Sequence, residues 1–462
     1  MDLLAYIREG REMTRAEKLR LIVQLSIPSI LAQISSIVMF FIDASMVGHL
    51  GARQSAAIGL VETTTWLFGG LTSAASMGFS VQVAHFIGAG DFRAARRVLR
   101  QSLVVCTAWG LLLLTAAALI HRDLPYWLGG GADIAGDASL YFMMFAAAGP
   151  FFQLEGLCGS MLKCAGNMKV PSALNILMCV LDVAFNYFFI FILRLGVLGA
   201  ALGTFCAILL TAMLMAWQLI VRSRELALVG RPDEPFLDPM AHWGGFRPQQ
   251  QTVTTAVKIG APMALQHTLM GGAQIVSTMI VAPLGNIAIA ANSFAITVES
   301  LCYMPGYGIG EAATTLVGQG VGAGQRLLTR SFAYLSVGMG MTVMTLMGIL
   351  MYIFAPELMT LMTPVDDIIS QGAAALRIEA FAEPMFAAAI VANGVFIGAS
   401  DTLMPAIMSL ASMWAVRLTL AATLAPHYGL KGVWMAMAIE LTVRGIAFLC
   451  RLASGRWQKA TA

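Results

Sequence analysis

Charge is what this sequence lacks most. Only 11% of its 462 residues are Asp, Glu, Lys or Arg, against roughly 25% in an ordinary soluble domain, and 58% are hydrophobic. The mean hydropathy is +0.77. A chain of this size that folds in water coats itself with polar groups, and there are too few here to do so, which excludes a soluble enzyme. The same composition excludes disorder and a collagen-like chain. Cysteine is sparse as well: seven residues, an odd number, with no CxxC spacing. They read as buried free thiols, not as a disulfide framework. The net charge of +3 is too small to argue for nucleic acid. The first twenty residues have charges where a signal peptide needs an apolar stretch, and read as an amphipathic helix on the membrane surface.

Long hydrophobic runs are abundant. A membrane-spanning helix needs about 20 largely apolar residues. Twelve segments qualify: 21–50, 55–86, 98–120, 139–163, 170–193, 197–221, 253–282, 287–321, 328–354, 368–398, 403–425 and 429–451. The second and eighth are long enough to tilt or bend, helped by Gly69-Gly70 and by Pro305. Twenty Lys and Arg fall on one side of these spans and four (Arg53, Arg122, Arg194, Lys431) on the other. The positive-inside rule then puts both termini in the cytoplasm. The reading is a cytoplasmic segment 1–20, an N-lobe 21–221, a cytoplasmic linker 222–252, a C-lobe 253–451 and a cytoplasmic tail 452–462.

The chain also repeats itself. A shift of 234 residues carries Pro28 onto Pro262, Leu50-Gly51 onto Leu284-Gly285, and Gly88-Ala89-Gly90 onto Gly322-Ala323-Gly324. It also carries Pro150 onto Pro384 and Pro171 onto Pro405; beyond that the register slips by one, with Gly196 and Gly199 matching Gly429 and Gly432. Each copy holds six spans, so both enter the membrane with the same orientation, related by a pseudo-two-fold axis along its normal. This predicts an all-α polytopic protein of two six-helix repeats, working by alternating access. The repeat also explains the GxGxG run at Gly320, Gly322 and Gly324 as a helix-ending turn, since no strand precedes it. No GxxxxGK[ST] motif occurs, so ATP is not the evident energy source.

FIDASMVGHLG (41–51), VQVAHFIGAGD (81–91), LDVAFNYFFIF (181–191), YMPGYGIGEAATTLVGQGVGAG (303–324) and GASDTLMP (398–405) follow one another on this frame. In that order the sequence resembles the multidrug and toxic compound extrusion (MATE) family over nearly its whole length. The resemblance implies V-shaped lobes and ion-coupled export of amphipathic, often cationic compounds from a bacterial inner membrane. It implies no cofactor beyond a coupling ion, Na⁺ or H⁺.

An ionised carboxylate at the bilayer centre costs on the order of 3 kcal/mol, so an acid inside a span needs a cavity, a partner or a proton. Asp43 stands where the family typically has an acid implicated in cation or proton binding. Asp182 and Asn186 lie four apart and share a helix face. The family commonly has an Asn/Asp or Asn/Asn pair there; this chain keeps the acid but moves it one turn. Asn175 and Thr204 could complete an oxygen-rich site for Na⁺ at Asp43, Asp182 and Asn186, or for a shared proton. In the second half, Met270 stands where many relatives have a Glu, with Gln266 and His267 a turn earlier. Glu299, with Gln266, is the candidate substrate site, Glu311 is expected to pair with Arg417, and Glu379 with Arg377 is read as near the interface. Lone histidines such as His49, His85 and His267 lack metal-ligand spacing, and no metal site beyond Na⁺ is expected.

The leading expectation is a monomeric cation-coupled multidrug antiporter, contacting membrane lipid and small cationic molecules but no nucleic acid. The alternative is a lipid-linked oligosaccharide flippase of the same architecture, whose central cavity would be basic where this polar set is acidic. A membrane-embedded enzyme would need a convergent catalytic cluster such as HExxH, and none is present.

Overall fold

The computed structural model describes residues 3–229 and 245–461, so Arg231 and much of the linker expected over 222–252 lie outside the described residues. The described chain is helical throughout, as lipid demands, because only a helix or a closed barrel satisfies its own backbone away from water. The first repeat comprises α1 (Leu3–Glu9), α2 (Arg15–Gly48), α3 (Ala52–Gly88), α4 (Phe92–Ile120), α5 (Leu124–Trp127) and α6 (Ala132–Cys164). It ends with α7 (Lys169–Tyr187), extended by a π-helical turn over Phe188–Ile192, and α8 (Val197–Trp217), extended by another over Gln218–Arg222. The second comprises α9 (Gln250–Val281), α10 (Asn286–Gly322), α11 (Arg326–Ile353), α12 (Ala355–Met362), α13 (Asp366–Ala380) and α14 (Glu383–Gly398). It continues through α15 (Leu403–Ala411), a π-helical stretch Ser412–Leu418, α16 (Thr419–Tyr428) and α17 (Leu430–Ser454).

Eight of these spans are long and apolar enough to cross a membrane, and nine when the bent pair α13–α14 is taken as one. Helices α3, α6 and α9, of 37, 33 and 32 residues, bring the number to the twelve expected. Large apolar side chains stand exposed, Leu327 at 85%, Leu361 at 82% and Leu119 at 77%, as a lipid-facing surface requires.

The two repeats share backbone devices. Helices α3 and α10 are both 37 residues long, and each follows a glycine with positive φ, Gly51 at 109° and Gly285 at 99°. No side chain tolerates that backbone well, so glycine fixes the turn in both copies. In both, a glycine on the sixth span lets the fifth come close. A Cβ at Gly199 would strike the carbonyl of Phe189, and one at Gly432 the carbonyl of Leu424.

By packing, the chain forms two compact units, residues 35–264 in one and residues 1–34 with 265–462 in the other. The first is built around Phe79, Val83, Leu99, Leu157 and Met161, with a second cluster at Val61, Ala138 and Phe142. The other is built around Ala291, Leu376, Trp434 and Leu441, with Ile309, Val391, Phe396 and Trp457 forming its second cluster.

Three expectations are corrected. The stretch 368–398 is not one helix but α13 and α14, bent by 61° at Phe381-Ala382, whereas α6 passes Pro150, the counterpart of Pro384, unbroken. The apolar face of α1 is covered by protein, with Leu3 and Ile7 buried and the Gln325 amide donating to the Ile7 carbonyl at 2.7 Å. All seven cysteines are free and five are buried, but Cys206 is half-buried and Cys450 exposed.

Candidate functional site

In the first unit, α2 presents Asp43 and α7 presents Asp182 and Asn186, the latter two 2% and 3% exposed. Their four-residue spacing stacks them on one face, and the Asn186 amide Nδ2 uses its two hydrogens on different acids. It donates to Asp182 Oδ2 at 3.1 Å and to Asp43 Oδ1 across the helix pair at 3.1 Å. The Thr204 hydroxyl, on α8, and the Asp43 carboxyl both stand beside the Asp182 carboxyl. Two carboxyls held side by side repel when both are ionised, and a shared proton or a cation between them relieves that repulsion. Asp182 Oδ1 and Asn186 Oδ1 are buried with no donor, an arrangement that costs free energy until something positive occupies it. The donor set is all oxygen and suits a hard monovalent cation or a proton.

Asn175 does not join them: it is half-buried two turns earlier on α7, with no hydrogen bond to the cluster. Three residues not anticipated from the sequence complete the surroundings. Gly203 abuts Asn186, where any Cβ would collide with the amide. Cys179, beside Ser36, lies within electrostatic reach of Asp43 and Asp182, and Tyr141 of α6 within reach of both acids and of the exposed Glu62. Gly203 adjoins Thr204 and could have been suspected; nothing in the sequence singles out Tyr141.

The second unit holds a different polar set. Glu299 of α10 is 5% exposed, and Glu379, Glu383 and Glu440 are fully buried. Arg444 grips Glu440 with two bonds of 2.8 Å, and the Ser412 hydroxyl donates to the same carboxylate. Arg417 donates to the Met437 sulfur at 2.7 Å and faces Glu299, Glu379 and Glu440. Glu311, expected beside Arg417, instead accepts from the Ser29 hydroxyl and, at 3.4 Å, from Gln33. Glu379, read from the sequence as near the interface, is wholly inside the unit. Gln266 is half-buried on α9 and makes no hydrogen bond to Glu299. Among the described residues no three His, Cys, Asp or Glu converge in a metal-holding group.

A duplicated six-helix membrane fold with acids and amides held inside apolar helices defines a polytopic membrane transporter. Residues 28–188, and again 262–423, match the MatE family profile, so the family signature is itself read twice. The chain belongs to the MatE family. It is similar to the probable multidrug resistance protein NorM of Thermotoga maritima, 25% identical over 448 residues that cover 95% of this chain and 93% of the relative. The multidrug resistance protein NorM of Burkholderia vietnamiensis is 26% identical over 440 residues, 90% of each chain. Among solved structures, a MATE in complex with MaL6 matches with a TM-score of 0.89 at 19% identity, over 99% of both chains. An outward-facing multidrug resistance MATE family transporter of the MOP superfamily matches at 0.88 with 20% identity, again over 99% of both.

Proposed function

We propose that this protein is a cation-coupled efflux antiporter of the bacterial inner membrane, with both termini cytoplasmic, that exports amphipathic cationic small molecules by alternating access. The observation that carries the reading is the Asn186 amide bridging Asp43 on one helix and Asp182 on another. A Na⁺ or H⁺ that enters this group removes the repulsion between the two carboxyls and changes how α2 packs on α7. Loading from outside then favours release of the exported compound, and by linkage each ligand weakens binding of the other. Thr204 steadies Asp182 in this scheme, while Asn175 lies further along the same face, at the edge of the site. The multidrug resistance names of the NorM relatives support the substrate class. The acidic character of the polar group favours cations over the anionic head of a flipped lipid.

The test is export of ethidium from proteoliposomes under an imposed Na⁺ or pH gradient. Wild type is compared with Asp43→Asn and Asp182→Asn. Gradient-driven export is expected in wild type and should fall on the order of 10- to 100-fold in either variant, the range of a typical coupling free energy. Export that persists unchanged in both would sink the assignment. Flipping of a labelled lipid without ethidium export would replace it.

A further inference from the structure

The buried acids Glu299, Glu379 and Glu383 of the second unit are not accounted for by the site above, and none of the three has an acidic counterpart in the first repeat. At the positions that correspond to Glu299, Glu379 and Glu383 the first repeat has Thr65, Phe145 and Gly149. The break at Phe381-Ala382 makes the cluster possible. It ends α13 just after Glu379 and starts α14 at Glu383, so two acids that a straight helix would carry on through the bilayer are turned into the interior. Both oxygens of Glu379 and both of Glu383 are buried without a hydrogen-bond donor, and the Cys302 thiol is the polar group beside Glu383. Glu379 faces Glu299, Glu383, Glu440 and Arg417.

The positive groups do not balance these acids. Arg444 grips Glu440 by its two-pronged bond, and the Arg417 guanidinium faces Glu440, Glu299 and Glu379, with Glu383 beside Glu299 and Glu379. Fully ionised, the four carboxylates Glu299, Glu379, Glu383 and Glu440 against the two guanidiniums of Arg417 and Arg444 would leave two uncompensated negative charges inside the unit, a state that buried carboxyls avoid by taking up protons. A metal ion is a poor occupant. Arg417 already stands in the group and would repel it, the neighbouring Cys302 and Met437 offer sulfur, and no metal-holding group occurs among the described residues. The position of Glu379 in the last turn of α13, at the negative end of that helix, further favours the neutral acid there. Tyr303 and Tyr307, on successive turns of α10, face Glu299, and Tyr307 is exposed, which offers hydroxyls between the acids and the outside of the unit.

We infer that Glu299, Glu379 and Glu383 form a second, proton-binding centre, which holds two exchangeable protons at neutral pH with Arg417 as its fixed positive charge. This does not rest on the role given to Asp43 and Asp182. The test uses the full chain in lipid nanodiscs, on an Asp43→Asn/Glu155→Gln/Asp182→Asn background so that the buried acids of the first unit contribute no carboxyl band. Infrared spectra at neutral pH should show a protonated-carboxyl stretch that shifts in heavy water and fades as pH rises. Glu299→Gln, Glu379→Gln and Glu383→Gln should each remove part of that band, and the triple substitution should remove it. No band at neutral pH, or a band that the three substitutions leave intact, would overturn the proposal. A melting curve provides a second readout. A Glu379 that is already neutral should accept Gln without loss of stability, whereas a Glu379 ionised against Arg417 would leave that guanidinium unpaired and lower the melting temperature. That lowering would also overturn the proposal.

Discussion

The two halves of this chain keep one backbone plan and fill it with different chemistry. Positive-φ glycines, close-approach glycines and helix lengths recur at matching positions, yet the residues that form the two polar groups do not. Asp43 corresponds to Ser277, Thr204 to Met437, Glu440 to Ala207 and Arg444 to Thr211. The first unit keeps a small all-oxygen group with no fixed positive charge among its bonded members, one that needs an added cation to be neutral. The second builds an internal ion pair and surrounds it with further acids. Duplication supplied the frame, and the residues that face inward diverged upon it.

The sharpest way to break the comparison is to remove the arginine that pairs with a buried acid in the second half. Arg444→Met leaves Glu440 buried without its partner and should destabilise the protein by about 3–5 kcal/mol, read from thermal or denaturant unfolding. Thr211, at the matching place in the first half, should tolerate Val far better, because its hydroxyl bonds only to backbone of its own helix, Ala207 and Ile208.

A smaller effect tests the packing that positions Asn186. Gly203→Ala forces a methyl against the amide and should cost about 1–3 kcal/mol, while also weakening gradient-driven ethidium export. The corresponding residue of the second repeat, Ala436, already carries that methyl, so Ala436→Gly should leave export unchanged. If Gly203→Ala is neutral in both assays, α7 and α8 do not need their close approach at this point. The mildest change is Trp434→Phe, which loses the bond from the indole Nε1 to Asn292 Oδ1 at 3.0 Å and should cost about 0.5–1.5 kcal/mol in the same unfolding measurement.

Much of the architecture was legible because lipid imposes a simple code: twelve apolar runs of the right length became twelve spans. The break in the tenth span was not. Pro150 and Pro384 occupy matching positions, and α6 runs on through one while the chain bends ahead of the other, so proline alone decides nothing. The spacing of Asp182 and Asn186 gave their shared face, because that is a property of one helix. That Asn186 also reaches Asp43, and that Tyr141 stands nearby, depends on how separate helices pack, which a pattern along one chain does not encode. The expected Glu311–Arg417 pair failed for a related reason. Opposite charges in neighbouring spans looked complementary, yet Glu311 found Ser29 and Gln33, while Arg417 sits among other acids.

The π-helical turns of the fifth spans have a further consequence. The one-residue slip in the repeat falls between Pro405 and Gly429, a stretch that contains the π turn Ser412–Leu418, and its counterpart in the first half contains Phe188–Ile192. A π turn absorbs an extra residue without interrupting a helix, and every residue beyond it is rotated to a new heading. Asp182 and Asn186 precede their turn, whereas Arg417 lies within its own. A single insertion or deletion, harmless to the span as a whole, was thus enough to let twin helices aim different side chains at their neighbours.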